Sequence, residues 1–73
     1  MANFINDEVK IDFPVSRAIR ILMEECEQFD REDNYPAYEA HANVLVYVVC
    51  KEACFLGDIT KNQWEKMERR YEL

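Results

Sequence analysis

After Pro14, only Pro36 and Gly57 can interrupt the backbone, because the chain of 73 residues holds two prolines and one glycine. Proline breaks regular structure by removing a backbone N–H, and glycine by tolerating left-handed conformations. A chain with so few breakers reads as a small number of long elements, and helices are the elements that run long. With 49% hydrophobic residues it can bury a core, which disordered chains cannot. Its length allows a single domain, residues 1–73. A core of that size is expected to leave only about 3 to 5 kcal/mol, so a partner or a second copy is an expected supplement.

Charge narrows the partners. The net charge of -6 argues against direct binding of nucleic acid, whose phosphates call for clustered Lys and Arg, and favours a protein with a basic surface. No signal peptide is read at Met1, and three cysteines, an odd number, fit a reducing cytoplasm rather than a disulfide framework. The longest apolar run, Val44 to Cys50, is far below the roughly 20 residues that span a bilayer, so no membrane is implied.

The expected fold is all-α: an antiparallel hairpin of two long helices, a short third helix and an extended N-terminal arm. The arm covers residues 1–13. Within it Val9, Ile11 and Phe13 alternate with Lys10 and Asp12, the period of a half-buried strand, but a lone strand has nothing to pair with and an arm across the helices is the simpler reading. The first helix is expected over 14–32, with Pro14 in its first turn and Asp12 accepting free amides. Val15, Ala18, Ile19, Leu22, Cys26 and Phe29 make its apolar stripe, opposite Arg17, Arg20, Glu24 and Glu27.

The second helix is expected over 35–56, opened by Pro36, with Tyr35 pushed out of helical geometry and Gly57 ending it. Its β-branched centre could alone read as a strand, but Ala37, Glu39, Ala40 and Ala42 before it and Lys51, Glu52 and Ala53 after it are good helix formers. The third helix is expected over 60–72. Thr60-Lys61-Asn62-Gln63 is a capping box, Ile59 and Trp64 are placed for a hydrophobic staple, and Trp64, Met67 and Tyr71 follow on one face. The segment LGDITKNQWEKMERRY, Leu56 to Tyr71, resembles the short C-terminal domain family, in which a helix, a Gly turn and a helix opening with Ile-Thr form a small hairpin tied to oligomerisation. The resemblance implies such a hairpin here, and it departs from the family pattern at Gln63-Trp64, where an acidic-aromatic pair is usual.

Cys26, His41, Cys50 and Cys54 are the only thiol and imidazole groups. In the hairpin Cys26 lies level with His41, while Cys50 is nine residues further on, roughly 13 Å at 1.5 Å per residue, so no metal site and no cofactor is expected. Cys26 facing His41 is the one pair with catalytic chemistry to consider, and packing is the expected role of both, so the chain is read as a non-enzyme. Glu52 is expected toward the core, paired with Arg17.

Two surfaces are candidates for a partner. Glu24, Glu25, Glu27, Asp30, Glu32 and Asp33 place six acids within ten residues, suited to a basic surface such as the nucleic-acid channel of another protein. On the second helix Tyr47, Cys50 and Cys54 share the least apolar arc, while Val44, Val48 and Phe55 spill round the other flank. That is more apolar circumference than two short helices can cover, and a two-fold homodimer is the simplest cover. The expected function is therefore an acidic protein–protein interaction module, a regulator or inhibitor of a basic, nucleic-acid-handling protein. In size and charge it resembles small phage and mobile-element inhibitors. The alternative is a structural homo-oligomerisation or adaptor module.

Overall fold

Helix α1 begins where the first free amides find an acceptor. That acceptor is Ser16, whose hydroxyl takes the Ile19 N–H at 3.3 Å, so α1 spans Arg17–Arg31 in the computed structural model, which describes residues 4–72. The expected start at Pro14 is too early by three residues. Serine is among the best N-capping side chains and stands one turn closer to the apolar stripe. Asp12, expected to cap, instead meets Lys66 at 2.9 Å, and the Lys66 ammonium hydrogen-bonded to it holds its carboxyl below the ordinary carboxylate value. The stripe buries Ile19 and Cys26 and packs Val15, Leu22 and Phe29 beside them, whereas Ala18 stays exposed.

The second long helix runs from α2 (Tyr35–Val44) through one π-helical turn (Leu45–Cys50) into α3 (Lys51–Phe55). Asn34 caps it, accepting the Ala37 N–H at 3.3 Å. Tyr35 is its first residue rather than outside it, with Pro36 in the first turn, where a missing N–H is no loss. α4 (Lys61–Arg70) starts with the expected capping box, Gln63 N–H to Thr60 Oγ1 at 3.1 Å and Thr60 N–H to Gln63 Oε1 at 2.8 Å.

Both long helices end in the same way. After α1 the amides of Asp33 and Asn34 donate to the carbonyls of Asp30 and Phe29, and after α3 those of Gly57 and Asp58 donate to Cys54 and Ala53. This is the Schellman pattern, and it demands a left-handed residue at its centre. Gly57 supplies it at φ 84°, while Asp33 is forced to φ 57°.

α1 packs antiparallel on α2 and the π turn, and α4 lies against the π turn and α3, so the structure is a helical hairpin plus a short helix. The residues before α1 form an irregular arm with no strand among the described residues; residues 1–3 of the expected arm lie outside them. The alternation of Val9 to Phe13 survives as half-buried odd positions and exposed even ones, without a sheet. The arm is held at fixed points: the Asn6 N–H donates to the Arg70 carbonyl at 2.8 Å, Arg70 Nη1 donates to the Val9 carbonyl at 2.9 Å, and the Phe4 N–H donates to Asp30 Oδ1 at 2.6 Å. Ile5 is buried in the core, worth about 1.5 to 3 kcal/mol.

The two helix ends lead to opposite expectations for one kind of substitution. Gly57→Ala meets no neighbouring atom, so its cost is the left-handed strain alone, about 1 to 2 kcal/mol. Asp33→Gly relieves the same strain and, after the entropy that glycine loses on folding, raises stability by about 0.5 kcal/mol. Urea titration of the two variants should move the midpoint in opposite directions with unchanged slope.

Candidate functional site: the outer face of the second helix

The π turn decides which side chains of the second helix reach solvent. In an α-helix at 100° per residue, Tyr47, Cys50 and Cys54 would share one arc. Across the turn, bonding widens to five-residue steps, so Leu45 and Cys50 come to lie on the same inward side. Cys50 is fully buried, while Tyr47 is exposed and Cys54 half-buried. The expected Tyr47, Cys50 and Cys54 surface is therefore corrected: Cys50 belongs to the core.

Much of what remains outside is apolar, beside the exposed polar side chains of Glu39, Asn43, Lys51 and Glu52. Val44, Tyr47, Val48, Phe55 and Leu56 are exposed, Phe55 at 89% of its free surface and Val48 at 56%. Tyr47, Val48, Cys54, Phe55 and Trp64 line an open groove of about 470 Å³ between the second helix and α4, with Lys51 and Glu52 at its edge. Trp64 is fixed there because its Nε1–H donates to the Val46 carbonyl on the π turn at 2.8 Å. Glu52 is exposed at the groove rather than aimed at the core, and Arg17 is exposed on α1; the expected pair between them does not form. The π turn and α3 carry Glu52 away from α1.

Beyond Tyr47 the groove gives way to a polar strip along α4 and just past its end, where Glu65, Glu68 and Glu72 are joined by Arg69. Glu65 and Glu68, three residues apart, share one face of the helix, and Glu72, two residues past its last turn, lines the same shallow pocket. The only sequence signal for this strip is the i, i+3 pair Glu65 and Glu68, weaker than the run of acids on α1.

Those six acids do not act together. Asp30 accepts the Phe4 amide, Glu27 meets Arg70 Nη2 at 3.6 Å, and Glu32 accepts from Gln28 Nε2 at 2.9 Å. Asp33 forms the left-handed turn. Glu24 is exposed and Glu25 half-exposed, each on the rim of a different shallow groove. Structure thus spends Glu27 and Asp30 on the arm and on α4, and leaves Glu24 and Glu25 as the carboxylates of α1 not engaged in this way.

Chemistry at the thiols and imidazole is limited by burial. Cys26 is fully buried and desolvation pushes its thiol up to about 12, with Glu25 and Glu27 adding to the shift; Cys50, also fully buried, is pushed up to about 11. A nucleophilic cysteine needs the opposite, a thiolate near neutral pH. His41 stacks beside Phe29 with ring centroids 4.8 Å apart, and its Nδ1–H donates to the Ala37 carbonyl at 2.8 Å. Among the described residues no three His, Cys, Asp or Glu side chains converge as metal ligands. Tyr38 is buried beside Phe4 and Tyr35, and its hydroxyl has no partner among the described residues.

The fold and this face define a small helical hairpin with an open apolar groove. No protein-family model, no curated protein and no solved structure matches the chain, so the resemblance of Leu56 to Tyr71 to the short C-terminal domain family assigns no family.

Burial makes two outcomes measurable. A thiol reagent on the native protein should label Cys54 rapidly and Cys26 and Cys50 only after unfolding. The second concerns pH. Cys26, Cys50 and Tyr71 all have folded values raised by desolvation, so the unfolded chain loses these protons first. Their contribution is whole below the ordinary thiol value of 9.0 and is lost as pH rises toward about 12. Stability by urea titration should be flat near neutral pH and fall above pH 9.

Proposed function

We propose that this chain is a non-enzymatic protein–protein interaction module, a small acidic regulator or inhibitor that docks on another protein. The observation that carries this reading is the apolar groove of Tyr47, Val48, Cys54, Phe55 and Trp64, with Val44 and Leu56 also exposed near it in sequence. Side chains of that size left in water in so small a domain mark a binding surface. The net charge of -6 supports a partner with a basic surface, the channel of a nucleic-acid-handling protein being one such surface. Three free thiols support a reducing, cytoplasmic setting, and no described helix is long and apolar enough to cross a membrane.

A second reading is a homo-oligomerisation or adaptor module. Val44, Val48 and Phe55 are all exposed on the second helix, and a second copy related by a two-fold axis would cover them. Solution mass separates the two.

Phe55 is so exposed that changing it should leave the fold intact. The pair Val48→Asp and Phe55→Asp should keep the native melting temperature and lose whatever host protein the wild type retains in a lysate pull-down at low salt. Glu24→Lys with Glu25→Lys should retain it with at most a modest loss. Retention of the same protein by the Val48 and Phe55 variants would sink the proposal.

A further inference from the structure

We infer that the occupant of the Tyr47–Trp64 groove is a basic amphipathic helix of the partner protein. This rests on the docking reading above and names what docks. The groove has an apolar floor on one side, built by Val48, Phe55 and Trp64, and an acidic strip on the other, Glu65, Glu68 and Glu72, with Tyr47 lining both. A helix laid along such a groove places side chains at i, i+3 or i+4 and i+7 into the apolar floor. Its flank then lies over the acidic strip. Three carboxylates against the single Arg69 make that strip net negative, so the flank that fits carries Lys or Arg.

The same charges disfavour the other occupants. In a two-fold dimer the same patch serves both subunits, so a copy seated in this groove brings its own acidic strip toward the partner's, and each copy carries a net charge of -6. An anionic lipid surface meets the same repulsion. The acidic strip is not engaged internally as the acids of α1 are: no ion pair links Glu65, Glu68 or Glu72 to another described residue. Trp64 packs against the core and donates its N–H to Val46, so the floor is held in place before anything binds.

The test uses two synthetic peptides of about 18 residues, five helical turns, with the same leucine stripe and no aromatic residue. One carries lysines on the remaining face and the other glutamates. Trp64 is the only tryptophan and lines the groove, so its emission reports occupancy directly, and amide chemical shifts of Val48 and Phe55 locate the site. The lysine peptide should bind saturably and the glutamate peptide at least about tenfold more weakly, with the preference shrinking as salt rises. In Glu65→Lys, Glu68→Lys, Glu72→Lys the preference should reverse, which a merely destabilised variant could not do. Reversal of Glu24 and Glu25 should leave it unchanged.

Equal binding of both peptides would overturn the inference while leaving the docking module intact. Binding of neither peptide would also overturn it, and if the Val48 and Phe55 variants still captured the host protein, the reading beneath would fall with it. A doubled solution mass that Phe55→Asp halves would make a second copy the occupant and overturn it too.

Discussion

One turn of π-helix in the middle of the second helix sets the orientation of everything after it. Leu45 and Cys50 stand five residues apart yet both point inward, so the α-helical arc that would have grouped Cys50 with Tyr47 is broken there. α4 is keyed to the same turn, because Trp64 donates its indole N–H to the Val46 carbonyl at 2.8 Å. Trp64 is half-buried, and an indole N–H drawn out of water without an acceptor is costly. The Val46 carbonyl supplies that acceptor, and the groove follows from where that leaves the indole ring.

The arm depends on a second fixed point. Arg70 reaches the Val9 carbonyl with Nη1 and Glu27 with Nη2, lies against the Tyr71 ring at 5.5 Å, and receives the Asn6 amide on its own carbonyl. Guanidinium suits this task because its donors are rigidly splayed, so one side chain can hold a backbone segment and a carboxylate together. The consequence is electrostatic. Glu27 and Asp30, two of the acids that made α1 look like a docking surface, are taken up in holding the arm, whereas Glu65, Glu68 and Glu72 form no ion pair with another described residue.

Polar chemistry and apolar surface are thus sorted to opposite sides. Two of the three thiols are sealed in the core, where desolvation keeps them protonated. The imidazole has spent its Nδ1 proton on the preceding helical turn. Outside, the chain shows large apolar side chains bordered by carboxylates.

Local signals in the sequence determined a good deal. The capping box at Thr60 and Gln63, the glycine stop at Gly57 and the stripe of Met67 and Tyr71 are each decided within four residues, and each stands as read. The all-α hairpin with its short third helix follows from them. The excess apolar surface around Val44, Val48 and Phe55 was legible too, because too few helices were available to cover it. The start of α1 was local as well, set by the Ser16 cap, while only the tertiary structure joined Asp12 to Lys66, far away in sequence. It alone buried Ile5, turned Glu52 outward and moved Cys50 inside. The reason is common to these cases: a regular period of 100° per residue holds until packing across the chain changes the helix, and that change is a property of partners no local window contains.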